Sequence, residues 1–212
     1  LGIGVGTPGI VDQDGVVLTA PNLSWTNVAL GALIEERTGL PTLVANDADA
    51  AAMGELTFGD GSADMILVKV GRGVGSGLIV GGQLARGVHS AAGEIGHVTV
   101  GTDHGGQCVC GKHGCLETWV AAPHLIRAME TASSEEDREA VLLTAGHRLG
   151  IALAPIVAAL DLADVVLSGP PELLGTTLRT AVAETLETRT LLQREPRLQV
   201  RLTAEPQDVV LR

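Results

Sequence analysis

The sequence predicts an α/β fold in which two lobes enclose a cleft. Three observations support this class. Residues 1–45 read as short apolar strands separated by glycine and proline turns, a strand then runs into a helix at Asn46 and Asp47, and the C-terminal half alternates helices with short apolar strands. Because ligand clefts form where such units meet, we expect the lobes to join near Asp47.

The expected division places residues 1–47 in the remainder of a small N-terminal lobe and residues 48–212 in a larger C-terminal lobe. Leu1 to Ile10, LGIGVGTPGI, reads as a buried strand that feeds a Pro-Gly turn. A polypeptide rarely begins inside a core strand, and the chain ends at Arg212 on an apolar segment. We therefore expect the natural sequence to continue at both ends.

The small lobe and its junction are predicted from turn and cap residues. The elements are a hairpin over Val11 to Thr19 with Gly15 at its turn, a loop over Ala20 to Trp25, a helix over Leu30 to Thr38 that Gly39 ends, and a strand over Thr42 to Ala45. The AAAMGEL run after Asp49 is a strong helix former.

The large lobe is predicted from continuous apolar runs and helical spacing. Its elements are a strand over Met65 to Val70, a glycine hairpin from Gly71, helices over Thr118 to Thr131, Glu135 to Leu160 and Glu172 to Thr188, and strands over Asp164 to Leu167 and Leu198 to Leu202. The long helix carries a stripe of Leu142, Leu149 and Ile156 and is expected to be largely buried.

Composition argues against several classes of function. The formal net charge is -11 and the aromatic residues are Trp25, Trp119 and Phe58, which disfavours contact of this segment with nucleic acid or an anionic membrane. We expect no apolar run long and uncharged enough to span a bilayer, and no signal peptide opens the chain. Reduced cysteines beside a metal fit the cytoplasm.

All three cysteines, Cys108, Cys110 and Cys115, fall within eight residues and are interleaved with glycines. C-x-C-x4-C supplies three of the four ligands of a tetrahedral zinc ion. His97 is the best candidate for the fourth, while His104 and His113 lie inside the loop itself. Four protein ligands would make this a closed structural site.

Two alternatives to a metal remain open. The loop could carry incidental reduced thiols, or it could hold a disulfide. A bridge from Cys108 to Cys110 would close a ring too small for relaxed geometry, and a bridge from Cys115 would leave an odd thiol.

The acids that flank this loop suggest a ligand site. Folding of the loop would bring Glu94 and Glu117 close to His97. Carboxylates accept hydrogen bonds from vicinal hydroxyls, and a histidine that holds a metal through one nitrogen can present the other, so the cluster suits a sugar. The alternative is that both acids are solvated loop residues.

Asp47 stands at the end of a strand and the start of a helix. It could serve only as a helix N-cap, or it could point into a cleft and take the proton of a sugar hydroxyl. The hairpin that starts at Gly71 carries alternating Gly71, Gly73, Gly75 and Gly77, whose bare backbone could approach phosphates.

The segment Glu94-Ile95-Gly96-His97, followed by C-x-C-G-x-x-G-C-L-E from Cys108 to Glu117, resembles the signature of the ROK family of repressors, open reading frames and kinases. The resemblance implies a two-lobed actin-like ATPase (ribonuclease H-like) fold with a zinc-binding loop. Members are sugar kinases or sugar-responsive transcriptional regulators. The resemblance also implies a homo-oligomer, either a dimer or a tetramer.

In kinases of the family that this chain resembles, the residue matching Asp47 is the catalytic base and that matching Asn46 is a sugar ligand. The hairpin with Gly71, Gly73 and Gly75 resembles the second phosphate loop, although Arg72 replaces the usual Thr or Ser. That side chain could block the nucleotide or clamp a phosphate. The turn at Gly169 resembles the adenosine-binding corner; an ordinary strand-to-helix connection is the alternative.

Three functions compete. The first is the sugar-binding effector domain of a transcriptional regulator, with ligands Asn46, Asp47, Glu94, His97 and Glu117, structural zinc, and DNA bound through a helix-turn-helix domain that this sequence does not contain. The second is a sugar kinase that uses ATP and magnesium. The third is a zinc-stabilised module without a ligand. Arg72 favours the first slightly.

Overall fold

The computed structural model describes residues 1–101, 105–191 and 198–204. Its N-terminal part holds two small sheets. The elements in chain order are β1 (Ile3–Thr7), β2 (Ile10–Val11), β3 (Val17–Ala20), β4 (Trp25–Val28), α1 (Leu30–Thr38) and β5 (Thr42–Asn46). β1 pairs in parallel with β5, and β2, β3 and β4 form an antiparallel sheet over a small core of Val11, Val17, Ala20 and Val44.

The remaining elements surround a five-stranded sheet. They are α2 (Asp47–Phe58), β6 (Met65–Val70), β7 (Val74–Val80), β8 (Gln83–Leu84), α3 (Glu117–Val120), α4 (Ala122–Thr131), α5 (Glu135–Leu160), β9 (Asp164–Ser168), α6 (Thr176–Arg189) and β10 (Gln199–Leu202). The strand order is β10-β9-β6-β7-β8, in which β10, β9 and β6 are parallel and β7 is antiparallel to both of its neighbours, β6 and β8.

Both faces of this sheet are covered, which explains why β6 and β9 are nearly continuous apolar runs. Met65 and Leu67 point toward α2, where Ala51 and Ala52 pack on them. Alternate residues of the same strands point to the opposite face, where they pack in one large cluster that includes α5 and α6. Because α2 lies against the sheet, its first residues are held at the edge of the cleft described below.

The long helix α5 begins and ends at the predicted residues, Glu135 and Leu160. Ser134 caps it by accepting a hydrogen bond from the Asp137 N–H at 3.1 Å. By length and composition α5 is long and apolar enough to cross a membrane, so the expectation that no segment has these properties is wrong. In this fold Leu149, Leu153 and Val157 of α5 are fully buried in the core.

Three other boundaries differ from the sequence prediction. β4 begins at Trp25, where only a loop was expected. The helix expected over Thr118 to Thr131 is broken at Ala121, whose backbone is extended; Pro123 lies in the first turn of α4, where proline starts a helix readily. α6 starts at Thr176 rather than at Glu172. The apolar C-terminal segment lies outside the described residues.

Candidate functional site

A cleft of about 680 Å³ lies between the N-terminal strands and the five-stranded sheet. One side is formed by residues 8–10 and 19–23, and the other by the start of α2, the β6–β7 hairpin and the cysteine loop. All five predicted sugar ligands line it: Asn46, Asp47, Glu94, His97 and Glu117. Gly71, Arg72, Gly73 and Gly75 line it as well, whereas Gly169 is not among its lining residues in the part of the chain that is described.

Asn46, rather than Asp47, is the N-cap of α2. Its Oδ1 accepts hydrogen bonds from the N–H groups of Ala48 and Asp49, at 2.8 and 3.1 Å. Its Nδ2 donates to the Gly9 carbonyl at 2.8 Å, which ties the turn after β1 to the start of the helix. The amide keeps one N–H that these bonds do not use.

Asp47 is the first residue of α2, and its side chain is a quarter exposed to the cleft. Lys69 of β6 donates from Nζ to Asp47 Oδ2 at 2.8 Å. Since the two residues are 22 positions apart, only the packing of α2 on the sheet brings them together. The cap role considered for Asp47 is thus filled by its neighbour, and its second oxygen, Oδ1, is left without a hydrogen bond to any described residue.

Glu94 and His97 lie at the ends of one short turn, Ile95–His97, that is pressed against β7. A Cβ at Gly93 or Gly96 would collide with the carbonyl oxygens of Ser76 or Val74, so only glycine permits this approach. Burial raises the pKa of Glu94, His97 lowers it, and the charges of Asp47 and Glu117 raise it further. Crowded carboxylates of this kind favour a ligand that supplies hydrogen-bond donors.

The side chains of His97, Cys108, Cys110 and Cys115 form a cluster whose ligand atoms lie within 4.8 Å of one another. The Cys110 and Cys115 sulfurs are 3.7 Å apart, and Cys108 Sγ is 3.4 Å from His97 Nδ1. A tetrahedral ion with usual zinc bond lengths would hold such pairs at about 3.8 and about 3.6 Å. The donor set therefore fits a metal ion.

The thiols are free, and the disulfide considered above is not formed. Burial raises the pKa of Cys108 to about 12 in the absence of an ion, so a cation is needed to hold it as a thiolate. His113 lies outside this cluster, and His104 lies outside the described residues.

Glu117 joins the cysteine loop to the glycine hairpin. Its Oε2 accepts a hydrogen bond from the Val74 N–H at 3.2 Å, and its Oε1 lies 3.6 Å from Cys108 Sγ. The residue is only 7% exposed, so the alternative of a solvated loop acid is wrong for Glu117. Gly73 is required beside it, because a Cβ there would overlap Glu117 Oε2.

The alternating glycines of the hairpin have packing reasons of their own. Gly75 and Gly77 face Ala48 and Ala52 of α2, at distances that leave little or no room for a Cβ. Gly71 meets no neighbouring atom at its Cβ position, and its N–H donates to the Gly73 carbonyl at 2.9 Å. Close helix packing therefore explains two glycines, while the phosphate role stays a prediction for Gly71, Gly73 and Gly75.

Sequence reasoning missed three charged residues in or near the site, Lys69, Lys112 and Asp49. Lys69 stands inside an apolar strand run, MILVKV, which is a detectable signal because a lysine is costly in a buried strand. Asp49 lies one turn into α2. Burial raises its pKa from 3.8 to about 6; Arg86 lowers it, and Glu94 and Asp47 raise it further.

Known proteins resemble this chain along most of its length. A family model described as "ROK family" matches residues 1–208. A glucokinase of Halalkalibacterium halodurans is 40% identical over 168 residues, which cover 77% of this chain and 51% of that protein. A putative xylose repressor of Caldicellulosiruptor sp. is 42% identical over 134 residues, covering 62% of this chain and 33% of the repressor. The chain thus spans a third to a half of these relatives.

Solved structures give the same fold. A ROK family glucokinase from Streptomyces griseus, in complex with glucose and AMPPNP, superimposes with a TM-score of 0.84 at 27% identity, over 99% of this chain and 78% of that one. A ROK family transcriptional regulator, a homolog of the E. coli MLC protein, superimposes with a TM-score of 0.82 at 24% identity. This match covers 99% of this chain and 61% of the regulator. The predicted actin-like fold is confirmed, and the chain belongs to the ROK family.

Proposed function

We propose that this chain is the sugar-binding effector region of a ROK-family transcriptional regulator. The observation that carries the proposal is Arg72, which lines the cleft at the tip of the β6–β7 hairpin. The family resemblance gives a kinase a Thr or Ser at this position, whose hydroxyl can donate to a transferring phosphoryl group, and Arg72 has no hydroxyl.

In this proposal the sugar lies among side chains of complementary hydrogen-bonding character. Asp47 Oδ1 and Glu94 accept hydrogen bonds from hydroxyl groups, and the spare N–H of Asn46 donates one. His97 turns Nδ1 toward the Cys108 thiol, which leaves Nε2 for the ligand. Glu117 contacts both the cysteine loop and the glycine hairpin, and so holds these two segments together beside the sugar.

We further propose that the cysteine cluster holds a structural zinc ion. His97, Cys108, Cys110 and Cys115 would hold it, and three thiolates with one imidazole are typical zinc ligands. When bound, the ion would stabilise the loop and supply no reaction chemistry, since four protein ligands leave no open position. The ring of His97 and the start of α3 at Glu117 would then be fixed relative to the cleft.

The regulator proposal includes an output through lobe closure. A sugar that contacts both Asp47 and the metal loop would bias the two lobes, divided near residues 47 and 48, toward one arrangement. DNA would be bound by a domain that this sequence does not contain, and the protein would act as a homo-oligomer in the cytoplasm. The third function, a zinc-stabilised module without a ligand, predicts no sugar binding at all.

A sugar kinase that uses ATP and magnesium is the second candidate. The glucokinase match covers 77% of this chain, against 62% for the xylose repressor. Asp47 lines the cleft, and its Oδ1 has no hydrogen bond to a described residue. In that function Asp47 would accept the proton of the attacking hydroxyl. Gly71, Gly73, Gly75 and Gly169 would then lie along the nucleotide.

The test measures ADP release and melting temperature with the full-length protein, Mg-ATP and a panel of hexoses, pentoses and amino sugars. The regulator proposal predicts that one sugar raises the melting temperature without turnover, and that Asp47→Asn weakens this rise. Sugar-dependent ADP release that disappears in Asp47→Asn would establish the kinase instead. Absence of both signals would leave only the structural module.

A further inference from the structure

The three cysteines of the chain, all of which the structure describes, differ in their access to solvent. Cys115 is 0% exposed and Cys108 is 4% exposed, so both thiols lie in the interior. Cys110 is only half-buried, and of the three it alone lines the cleft. A small reactant that enters the cleft therefore meets Cys110 first.

Cys115 carries the sulfur that Cys110 can reach. The two Sγ atoms are 3.7 Å apart. A disulfide has an S–S length of about 2.05 Å, so an approach of less than about 2 Å would form the bond. Cys108 instead directs its Sγ to His97 Nδ1, at 3.4 Å, and a bridge from Cys108 to Cys110 would close a strained ring.

The backbone between these two sulfurs allows the approach. Gly111 has a φ of +86°, and a Cβ built on it meets no atom, so the turn beside Cys110 has open space around it. The other end of the segment is anchored, because Leu116 is fully buried and its N–H donates to the Val98 carbonyl at 2.9 Å. Cys110 can therefore move toward a fixed Cys115.

We propose that Cys110 is a site of oxidation by hydrogen peroxide, and that its oxidation opens the metal cluster. The Cys110 thiolate attacks the peroxide: an S–O bond forms, the O–O bond breaks, and the leaving hydroxide takes up a proton to become water. The Cys115 thiolate then attacks the Cys110 sulfur, so an S–S bond forms and the S–O bond breaks, with a second hydroxide leaving as water. The two sulfurs lose two electrons, which reduce one peroxide to two waters.

This bridge would remove two of the four residues that hold the metal. Cys108 and His97 alone do not make a closed zinc site, so the ion would be lost. Glu117, whose Oε1 lies 3.6 Å from Cys108 Sγ, would then stand beside a loop that no metal fixes. The inference rests on the structural zinc of the proposed function, and it adds the condition under which this zinc is released.

Zinc release from the zinc-loaded full-length protein tests the inference. Hydrogen peroxide is added, and a chromogenic chelator measures the zinc that appears in solution. We expect the chain to lose its bound zinc. Dithiothreitol and added zinc should then restore the metal content, because a disulfide is reduced by thiols and a sulfinic acid is not.

Peptide mapping of the oxidised protein identifies the bridge. Trypsin cleaves after Lys112, which separates Cys115 from the other two cysteines. Peroxide treatment should join the two peptides through a disulfide. Fragmentation of the joined peptides should place the bond on Cys110 and leave Cys108 as a free thiol.

Two variants assign the sensitivity to Cys110. Cys110→His replaces a half-buried thiol with another zinc ligand, one that forms no disulfide, so peroxide should release zinc at least about tenfold more slowly. His113→Gln changes an exposed residue of the same loop outside the metal cluster, and should release zinc as fast as the unaltered chain. If Cys110→His binds no zinc, the peptide map of the unaltered chain decides.

Three results would overturn the inference. Bound zinc that stays in place under peroxide, with all three thiols intact, refutes it while the proposed function stands. A bridge that involves Cys108, or a sulfinic acid without a bridge, refutes the pairing of Cys110 with Cys115. A full-length protein that binds no zinc before oxidation refutes the proposed metal site as well.

Discussion

Glu117 accepts a hydrogen bond from the Val74 N–H at 3.2 Å, although the two residues are 43 positions apart. The same carboxylate lies 3.6 Å from the Cys108 thiol through its other oxygen. One buried side chain therefore connects the metal cluster to the glycine hairpin. We expect a substitution in either of them to alter the structure of the other.

The first prediction concerns Gly73. Gly73→Ala places a Cβ against Glu117 Oε2, so the carboxylate has to leave the Val74 N–H. A hydrogen bond to a charged group contributes about 1.5–3 kcal/mol, so we expect sugar affinity to decrease by about 10- to 100-fold. Calorimetric titration measures the loss, and metal content reports whether the cysteine loop is disturbed as well.

Gly71→Ala is the matched control, since a Cβ at Gly71 meets no atom. It should bind sugar and metal as the unaltered chain does. Equal affinities for Gly73→Ala and Gly71→Ala would mean that Glu117 does not position the ligand.

Local signals were enough to predict much of the fold. Met65–Val70 and Glu135–Leu160 have the predicted ends, because an apolar run and a Ser cap are properties of neighbouring residues. β4 was missed because Trp25–Val28 is a short strand whose pairing with β3 supplies its stability. The break at Ala121 was missed because the apolar spacing on either side hides it, although Pro123 was a visible sign.

The second prediction concerns the metal ligands. Cys108→Ser and His97→Gln should each lose bound zinc and, with it, sugar binding, because the ion fixes the loop that carries Glu117. His113→Gln should keep one zinc ion per chain, since His113 lies outside the ligand cluster. Elemental analysis of purified protein gives the zinc content, and titration gives the affinity. Undiminished sugar affinity in metal-free Cys108→Ser would contradict the link between them.

The third prediction concerns the Lys69–Asp47 pair, whose side chains are 29% and 25% exposed. A partly buried pair should contribute more than an exposed ion pair and less than a fully buried one. We therefore expect a coupling of about 1–2 kcal/mol in the free energy of unfolding. Lys69→Met, Asp47→Asn and the double variant form the cycle that measures it in urea. Lys112→Met, which removes the other lysine, serves as control and should change stability little. A coupling near zero would show that the pair is not formed in solution.

The candidate site was predicted less completely than the fold. The cysteine spacing indicated the metal ligands, the acids that flank the loop indicated Glu94, His97 and Glu117, and the family resemblance added Asn46. The surroundings of Lys69 and Asp49 depend on how α2 packs. This helix places Asp47 beside Lys69 of β6, and it brings Asp49 near Arg86 and Glu94. Neither relationship has a sequence spacing that could reveal it, because each depends on how a helix packs on a sheet.

The fourth prediction concerns pH. Burial raises the pKa of Asp49 from 3.8 to about 6. The positive charge of Arg86 lowers this pKa, and the negative charges of Glu94 and Asp47 raise it. The folded state therefore keeps this proton up to a higher pH than the unfolded state, and stability falls as pH rises through about 6. Asp49→Asn removes the effect, so the variant should gain stability relative to the unaltered chain between about pH 5 and 7.5.

Urea unfolding across this pH range measures the difference. Asp60→Asn, at an exposed position, should run parallel to the unaltered chain at every pH. A constant offset for Asp49→Asn would mean that Asp49 does not titrate in this range.

The fifth prediction concerns a charge network that anchors the far end of α2. Arg201 of β10 lies 2.7 Å from Glu55 Oε1 and 2.9 Å from Asp164 Oδ2, and Thr203 donates to Glu55 Oε2 at 2.8 Å. Both acids are buried, so Arg201→Met would leave two carboxylates without a cation. Loss of one partner from a buried pair costs about 3–5 kcal/mol, and we expect a decrease of this size in the free energy of unfolding.

Arg138→Met removes the cation of an exposed pair with Glu135, at 3.1 Å, and should cost no more than about 0.5 kcal/mol. Burial already raises the pKa of Asp164, while Arg201 lowers it. Without Arg201 the Asp164 carboxyl would favour the protonated form in the folded state, so the destabilisation should shrink as pH falls. A loss of stability that is equal at pH 5 and pH 8 would point to lost packing of the arginine stem in place of uncompensated charge.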